Sequence, residues 1–440
     1  MSKRVRTLSI LVVVALWAAA CGDTAETTTT QAGTTTTQAG TTTTGASPTT
    51  APEPSGDPIV VGGTLALTGA VGATGNIHRI AGQLYVERLN AAGGLLGRPV
   101  VFEPLDDESD PTRVGDLYEQ LISQDRVDLI MGPYATPWIL QAQPVAERHG
   151  FVLPQHTSVL APAMSYQCQF PAWSIGPEPN VFTPNQLADA LDSLGDVATV
   201  ALVTNSSGST AFVSHGVPDV AGSRGALHVF PERGYQVVAD ETYPPGNTEW
   251  GPIAVAIRNA DPDFVMVNGL GIEANGLIDA MSQLDYSPRM IFALFPAPGA
   301  VLAMGEAAEG LLSVSMFEPN EPILAGLSDE VREIVAEFEA RAAAAGLPYT
   351  TFETQAAASW NAWDILTQGV AGAGSLDHEA ICDYLLENGA DLTFAGHVSF
   401  PRENNNFWPT NQVLKQVQDG NWVVVWPADR AAAPLRGSSG

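Results

Sequence analysis

The chain has 440 residues, of which 45% are hydrophobic, and a formal net charge of −29 at pH 7. This length is sufficient for two or three domains, each with a core of its own. A surface this acidic repels nucleic acids and anionic lipids, so we exclude nucleic acid as a partner and expect no direct binding to a membrane surface.

The first 21 residues have the composition of an export signal. Lys3, Arg4 and Arg6 precede the apolar run 8–17, and the small residues "AAA" follow before Cys21. The apolar run is too short to span a bilayer, so residues 1–20 are predicted to be a signal peptide. A cysteine after small residues resembles the lipobox of bacterial lipoproteins, although Ala18 stands where that motif usually has Leu. We therefore expect lipidation of Cys21; the alternative is a plain secretory signal with an incidental cysteine.

Residues 21–57 are predicted to be a disordered spacer. Residues 27–47 repeat "TTTTQAG" and "PTTAPEPSG" follows, with no apolar group from which a core could form. A flexible chain of this length reaches roughly 30–35 Å. This spacer would hold a folded body on the outer face of the cell membrane through the lipid anchor alone.

Residues 58–155 alternate between apolar runs and amphipathic stretches. Asn76 is predicted to cap a first helix that ends in glycines, Asp110 and Pro111 open a second helix, and a third ends near Gly150. The predicted strands are 58–67, 98–107, 127–132 and 151–155. Continuous apolar strands separated by helices predict an α/β fold with a parallel sheet covered on both faces.

The pattern is interrupted by four prolines within 171–185 and then begins again. Helices alternate with predicted strands, and a helical region covers 328–388. Asp419 and Gly420 form the turn of a terminal hairpin. The strands of this half are predicted at 197–204, 235–243, 263–269, 289–295 and 311–317. Two α/β lobes built in sequence are expected, followed by a segment that returns to both and a disordered tail over 431–440.

Two glycine-rich loops invite comparison with nucleotide sites. The first has Gly69, Gly72 and Gly75 at every third position and fits neither phosphate-binding pattern. "GLGIEA" at 269–274 matches GxGxxA, but the next strand ends in Phe295 and supplies no acid for a ribose. We expect both loops to allow close packing of helix and strand.

No catalytic or metal-binding constellation stands out. "TNSSGS" at 204–209 lacks the first glycine of GxSxG, the histidines show no HExxH spacing, and "DDESD" at 106–110 lacks the alternation of a calcium loop. The sequence therefore predicts a binding protein without a cofactor or a metal.

The two remaining cysteines are Cys168 and Cys382. Outside the cytoplasm an even pair is a disulfide candidate. The alternative is two buried thiols.

Three segments in order give the chain a family resemblance. The first predicted strand ends in "LTG", the helix after it ends in "ERLNAAGGLLGR", and "DDESDP" follows. These segments resemble the opening of the branched-chain amino acid (Leu/Ile/Val) class of substrate-binding proteins of ABC transporters. "DLIMGPYAT", "VAERHGFVLP" and "QVQDGNWVVVWP" extend the resemblance over residues 57–427.

The resemblance implies a type I periplasmic-binding-protein architecture, with two Rossmann-like lobes joined by three crossover strands. It places lobe 1 at 58–175 plus 316–402, and lobe 2 at 176–315 plus 403–430. It further implies a monomer outside the cytoplasm that closes around a small molecule and delivers it to an ABC permease.

The resemblance also implies a ligand site. Members of this family hold a ligand carboxylate with hydroxyls and backbone N–H groups at helix N-termini, which stabilise an anion. The alternative is that the hydroxyls only cap helices. The matching positions are Thr74, Tyr134, Ala135, Thr136, His156, Thr157 and Ser158 from the first lobe and Ser207, Gly271, Glu273 and Phe295 from the second.

The sequence departs from the family pattern in the second lobe. Amino-acid binders place a carboxylate near 295–297 for the ligand ammonium, and "LFPAPG" has none, so an amino-acid ligand would need Glu273. Thr68 is expected at the rim. Four aromatic residues are candidates for an apolar wall, and the alternative for each is packing in the core or the hinge: Tyr134, Trp138, Trp173 and Phe295. The expected ligand is a branched-chain or other hydrophobic amino acid, or a related carboxylate or amide. The alternatives are a sensor that feeds a signalling partner and an exported enzyme on the same fold.

Overall fold

The computed structural model describes residues 53–217, 223–321 and 323–437. Its strands are β1 Ile59–Leu65, β2 Val100–Asp106, β3 Leu129–Met131, β4 Leu153–Gln155, β5 Gln169–Pro171, β6 Thr199–Asn205, β7 Gln236–Tyr243, β8 Phe264–Gly271, β9 Met290–Pro296, β10 Leu312–Ser315, β11 Ala390–Leu392, β12 Gly396–Val398, β13 Val413–Gln418 and β14 Asn421–Trp426. Its α-helices are α1 Gly72–Ala91, α2 Val114–Gln120, α3 Thr136–His149, α4 Pro179–Asp192, α5 Gly208–His215, α6 Ala226–Glu232, α7 Gly251–Ala260, α8 Glu273–Ser282, α9 Pro298–Leu302, α10 Asp329–Ala344, α11 Thr354–Ala373 and α12 His378–Asn388.

The first lobe is built on short parallel strands. β1 lies between β2 and β3, and all three run parallel. β4 pairs with β5 in a separate parallel pair, and the N–H of Gly132 donates to the carbonyl of Pro154 at 2.7 Å to link the two groups. Because the strands are parallel, the loops after β1, β3 and β4 leave the sheet at the same edge.

The second lobe contains a seven-stranded mixed sheet in the order β14-β13-β10-β9-β8-β6-β7. Strands β6 to β10 pair parallel, whereas β13 is antiparallel to β10 and to β14. The predicted turn between β13 and β14 has positive φ at both Asp419 and Gly420, as a tight two-residue hairpin requires. The end of the chain therefore returns to the second lobe.

The largest hydrophobic cluster, here the first core, belongs to the first lobe, and the second lobe has two clusters, of which the one around Leu202 and Phe292 is the second core. The chain passes between the first and the second core three times. Trp173 and Ile175 pack in the first core before α4 packs in the second. Val314 lies in the second core and Met316 in the first; later, Trp408 lies in the first and Leu414 in the second. The predicted α/β fold of two lobes joined by three crossings is confirmed.

Two local expectations are wrong: the cap of the first helix and the disorder of the C-terminal tail. Asn76 does not cap α1, because the helix begins at Gly72 and the Asn76 side chain donates to the carbonyls of Leu67 and Gly72 at 2.9 and 2.8 Å. The early start is possible because Gly75 has no side chain: a Cβ there would lie 1.8 Å from the carbonyl oxygen of Ala66. This glycine serves close packing, as expected for the opening loop.

The tail expected to be disordered over 431–440 is ordered wherever the structure describes it. Ala432 N–H donates to the carbonyl of Val424 at 2.8 Å, and Arg436 N–H donates to Gln416 Oε1 at 3.0 Å. The side chains of Gln416 and Gln418 donate back to this segment. Buried amides on the terminal hairpin hold the tail, which sequence composition does not reveal.

Cys168 and Cys382 are joined by a disulfide bond that connects the segment before β5 to α12. The bond closes 214 residues of chain. None of the helices in the described part of the chain is long and apolar enough to cross a membrane.

Candidate functional site

Two loops of the first lobe form the centre of the candidate site. Residues 134–136 follow β3 and lead into α3, and residues 156–158 follow β4. Both lie at the carboxyl edge of parallel strands, where open α/β sheets bind their ligands. Thr136, Thr157 and Ser158 are buried there, with 4, 6 and 1% of their surface exposed.

Backbone N–H groups donate to the hydroxyls of these loops. Ala135 N–H donates to Thr157 Oγ1 at 3.3 Å, and Val159 N–H donates to Thr136 Oγ1 at 3.1 Å. Thr136 Oγ1 also lies 3.3 Å from Ser158 Oγ. Since each threonine oxygen accepts an N–H bond, its own hydroxyl proton remains to be donated. The loops are thus fastened to each other and keep donors suited to an anion.

Thr136 does not cap α3. It is the first residue of that helix, and the capping position is occupied by Ala135, which has no side chain able to accept a hydrogen bond. Ala135 has φ 68° and ψ 150°, a conformation that residues other than glycine rarely adopt. The free N-terminus of a 14-residue helix therefore lies at this loop.

The second lobe presents another helix N-terminus to the same place. Ser207 precedes α5, and a cavity of about 260 Å³ separates it from Thr136 and Pro137. Ser207 Oγ lies 2.7 Å from Thr210 Oγ1, and its N–H donates to Asn205 Oδ1 at 2.8 Å. The cavity is lined by Pro111, Thr112, Thr136, Pro137, Leu140 and Gln141 from the first lobe and by Ser207, Gly208 and Ser209 from the second.

Glu273 is held within the second lobe. Its carboxylate accepts hydrogen bonds from Asn205 Nδ2 at 2.6 Å, Tyr243 Oη at 3.0 Å and Leu270 N at 2.8 Å. These three neutral donors fix the carboxylate in place. Gly271, two residues before Glu273, has φ 61°, and its carbonyl accepts a hydrogen bond from Ala297 N–H at 2.8 Å.

The expected apolar wall is only partly present. Phe295 packs against both the first and the second core, and its ring meets that of Trp173 edge-on with centroids 5.6 Å apart. Trp138 does not belong to the wall, because it packs with Val114 and Tyr118 in a smaller first-lobe core. The cause is helical periodicity, since Trp138 shares the inward face of α3 with Ala142 and Val145.

A polar and aromatic cluster, which includes three predicted site residues, lies beside the hydroxyl loops. The ring of Tyr134 lies 5.1 Å from that of His78, and His78 lies 4.4 Å from His156. Burial raises the pKa of Tyr134 to about 12; the Glu353 carboxylate adds to this rise and the side chain of Thr74 opposes it. Tyr134, His156 and Thr74 are therefore brought together, and His78 joins them.

Glu353 belongs to a buried charged group at the lobe junction. Lys415 on β13 forms an ion pair with Glu318, and its ammonium lies 4.8 Å from the Trp422 ring. Glu353 is 2% exposed and accepts a hydrogen bond from Gln355 N–H at 3.0 Å. Burial raises the pKa of Glu353 to about 7, Lys415 opposes the rise and Glu318 increases it.

Thr68, expected at the rim, is used inside the opening loop. Its hydroxyl donates to Asp106 Oδ2 at 2.7 Å, and Leu67 N–H donates to Asp106 Oδ1 at 2.9 Å. Asp106, the last residue of β2, thus holds the turn of the opening loop. No group of three or more His, Cys, Asp or Glu side chains gathers as a metal site within the described residues.

Sequence reasoning missed several residues of this region. His78 lies in the predicted first helix, and Glu353 and Gln355 lie inside the helical region predicted over 328–388, so no break before α11 was expected there. One signal was present. Asp364 is the one charged residue within the 20 residues of α11, which is typical of a buried helix. Glu353, directly before such a helix, is therefore expected to be buried as well. The cavity residues Thr112, Leu140 and Gln141 carried no signal.

Comparison with known proteins decides the family. A sequence model of the family described as periplasmic binding protein matches residues 58–421. The chain belongs to the periplasmic binding protein family. Since the match covers most of the chain, the family resemblance inferred from the sequence is confirmed, and members of this family bind ligands outside the cytoplasm.

Among curated proteins, this periplasmic binding protein is similar to BasB of Halobacterium salinarum, a substrate-binding protein of a chemotactic signal transduction system. The two are 28% identical over 243 residues, which make up 53% of this chain and 55% of BasB. The chain therefore spans about half the length of this relative.

Solved structures show the same fold. A leucine-binding protein of Thermotoga maritima matches with a TM-score of 0.65 and 20% identity, over 83% of this chain and 97% of that one. An ABC transporter solute-binding protein of Rhodopseudomonas palustris in complex with benzoate matches with a TM-score of 0.69 and 20% identity, over 87% and 98%. LivJ of Streptococcus pneumoniae in complex with isoleucine matches with a TM-score of 0.66 and 19% identity, over 84% and 100%.

Proposed function

We propose that this periplasmic binding protein captures a small organic carboxylate between its two lobes. The observation that carries the proposal is the cavity of about 260 Å³ between the N-termini of α3 and α5, with Thr136 on one side and Ser207 on the other. Helix N-termini and hydroxyls stabilise an anion without a cationic side chain. The proposed lobe boundaries are 58–175 plus 316–402 and 176–315 plus 403–430.

The remaining contacts limit the ligand to an amphipathic one. Trp173 and Phe295 supply apolar rings where the lobes meet, which suits a branched-chain or aromatic group. The Glu273 carboxyl group is held by Asn205, Tyr243 and Leu270, so it is the acid that an α-ammonium group would meet in the second lobe. Both hydrophobic amino acids and simple aromatic carboxylates therefore belong to the proposed class, and relatives of this fold hold isoleucine and benzoate.

The proposal is tested by a thermal-shift screen followed by calorimetry. The screen contains L-leucine, L-isoleucine, benzoate, 3,4-dihydroxybenzoate and benzamide, since a ligand that binds the folded state raises its melting temperature. The best hit is titrated into wild type, Thr157→Val and Thr242→Val. Thr157→Val removes a hydroxyl of the site and is expected to weaken binding at least tenfold. Thr242 is exposed on β7, so Thr242→Val is expected to bind like wild type.

Transport through an ABC permease is the proposed physiological role, because the solved neighbours include solute-binding proteins of such transporters. A sensor is the second candidate, and the similarity to BasB supports it. Deleting the gene separates the two: loss of uptake of the radiolabelled hit supports transport, whereas normal uptake with a lost behavioural response to that compound supports sensing.

We also propose that Cys21 is lipidated and that 21–57 is the spacer between anchor and lobes. Residues 21–52 lie outside the described residues, and there only the sequence supports the proposal. Residues 53–57 are described, and Ser55 N–H donates to the carbonyl of Gly97 at 2.9 Å, so this end of the spacer is attached to the first lobe. Metabolic labelling with palmitate is expected to mark wild type and to leave Cys21→Ser unlabelled. Equal labelling of both would contradict it.

A further inference from the structure

His78 and His156 form a tilted pair of rings, and three of their four ring nitrogens lack a well-formed hydrogen bond. Their ring centroids are 4.4 Å apart, and each residue is 1% exposed. His78 Nδ1 and both ring nitrogens of His156 are buried without a well-formed hydrogen bond within the described residues, and the Pro133 carbonyl is only a weak partner of His156. A buried polar group left in this state costs about 1–3 kcal/mol. Three of them in one pair indicate that the working protein places a polar group there.

The position of the pair favours a ligand over a structural water. His156 directly follows β4 and directly precedes Thr157, whose hydroxyl belongs to the anion-binding loops. His78 reaches the same edge of the sheet from α1. Ligands of α/β folds bind at this edge, outside the carboxyl ends of the strands.

The protonation state of the pair follows from its neighbours. His78 Nε2 lies 3.2 Å from Gln355 Oε1, an atom that only accepts, so Nε2 carries the proton and Nδ1 keeps a lone pair. Burial lowers the pKa of His156 to about 4 while the Pro133 carbonyl opposes this, and burial with the neighbouring His156 lowers the pKa of His78. Both rings are therefore neutral at pH 7.

The other groups around the pair do not supply a positive charge. Tyr134 faces His78 from the loop after β3, Gln355 faces it from α11, and Glu353 at the start of α11 is acidic. The one lysine among the described residues, Lys415, is paired with Glu318. An imidazole is thus the group in this cluster that can become cationic when an anion arrives.

We propose that His156, positioned by His78, binds the ligand carboxylate together with one proton taken from solvent. The inference rests on the proposed function and narrows it: the ligand is an anion with a free carboxylate, and its amide is rejected. On binding, neutral imidazole gains one proton and becomes imidazolium, so the carboxylate and its new counter-ion enter the site as a neutral pair. A proton bound with the ligand makes affinity rise as the pH falls, by at most about tenfold per pH unit.

The direct test is calorimetry of wild type with benzoate and with L-leucine at pH 5.5, 6.5 and 7.5. Each titration is repeated in two buffers of different ionisation enthalpy, which reports the number of protons exchanged. We expect an uptake approaching one proton at pH 5.5, where the imidazole of the free protein is already neutral, and weaker affinity as the pH rises. Binding without proton exchange and with constant affinity overturns this inference alone. Failure of every carboxylate to bind overturns the proposed function with it.

Variants locate the proton. His156→Gln keeps a polar side chain that does not titrate, and we expect benzoate or L-leucine binding without proton uptake and with a flat pH profile. His78→Gln should retain proton uptake on binding, with a shifted midpoint in the pH dependence of affinity, because His78 only positions His156. Exposed His228→Gln is the matched control and should behave like wild type. If His156→Gln binds more weakly at every pH but takes up the same proton, His156 is a structural residue and the inference is wrong.

Discussion

The backbone N–H of Val159 donates a hydrogen bond to the hydroxyl of Thr136 at 3.1 Å, so the loop after β4 is fastened to the first turn of α3. One side chain thereby serves two purposes. It satisfies a buried amide of the first lobe and lines the cavity that faces Ser207. Stability and binding are consequently coupled at this residue.

Thr136→Val is expected to lower the free energy of unfolding by about 1–3 kcal/mol, because it leaves the Val159 N–H buried without an acceptor. It is also expected to weaken binding of the best hit at least tenfold. Thr136→Ser keeps the hydroxyl and should retain most of both. Urea unfolding and calorimetry on the two variants check this. Equal stability and equal affinity of Thr136→Val and Thr136→Ser would contradict the role of the hydroxyl.

Ala135→Gly tests the strained backbone at the same loop. The φ of 68° with ψ of 150° at Ala135 costs an alanine about 1–3 kcal/mol and a glycine much less. The greater freedom of glycine in the unfolded chain offsets about 0.5–1 kcal/mol of this gain. Urea unfolding should show Ala135→Gly as stable as wild type or more stable by up to about 2 kcal/mol. A clear loss of stability would mean that the backbone adopts another conformation there.

Lys415→Met should be strongly destabilising. Lys415 and Glu318 are an ion pair with side chains only 3 and 1% exposed, so removing the ammonium leaves a buried carboxylate without its counter-ion. Breaking one partner of a buried pair costs about 3–5 kcal/mol. The double variant Lys415→Met with Glu318→Gln removes both charges and should recover most of that loss in urea unfolding. A double variant no better than the single one would show that the charge is not the cause.

The exposed pair Arg402 and Asp383, 3.9 Å apart, provides the matched control for that experiment. Exposed pairs contribute about 0–1 kcal/mol. Arg402→Met should therefore leave the urea midpoint almost unchanged.

Glu353 predicts a specific dependence of stability on pH. Its carboxyl pKa is raised to about 7 in the folded protein from an ordinary value of 4.5, chiefly by burial. Between these values the folded state holds a proton that the unfolded state has lost. Its contribution to stability is thus complete below pH 4.5 and is lost as the pH rises to 7, by at most about 1.4 kcal/mol per pH unit.

Glu353→Gln isolates this effect, since glutamine still accepts the bond from Gln355 N–H. Stability of wild type minus that of the variant should fall steadily between pH 5 and pH 7 in urea unfolding. The lowered pKa values of His78 and His156 act alike in both proteins and cancel in the difference. A difference that is constant or rises with pH would contradict the buried position of the carboxyl.

Cleavage of the disulfide is expected to reduce stability by about 5 kcal/mol in the chain-entropy account, because Cys168 and Cys382 close a loop of 214 residues. Cys168→Ser with Cys382→Ser should unfold at lower urea than wild type and be insensitive to reductant. Wild type should approach the variant once thiol labelling shows that the bond is open. An unchanged midpoint after verified reduction would show that the bond adds nothing to stability.

The sequence was sufficient for the architecture because its strongest signals are local. Apolar runs and helix periodicity identified β1, with 58–67 predicted and Ile59–Leu65 observed. In the structure β4 pairs with β5 and does not extend the ladder of β3. Local signals could not predict this, since strand pairing depends on contacts distant in sequence. The ordered tail escaped prediction for the same reason: its partners are amides on β13.

The candidate site was predictable only where a loop follows a strand. Residues 134–136 and 156–158 follow buried strands, so their common edge could be inferred. His78 could not be assigned to the site, because its partner Gln355 lies 277 residues further along the chain. The buried charges of Lys415, Glu318 and Glu353 likewise come from three separate segments, and no local pattern joins them.

A crystal structure of the protein with its tightest-binding carboxylate from the screen tests the central claim most directly. The account predicts density for the ligand between the lobes, with its carboxylate within hydrogen-bond distance of the Thr136 or Thr157 hydroxyl and its other end against Phe295 or Glu273. A ligand bound to one lobe alone, or a carboxylate that contacts neither threonine, would contradict it.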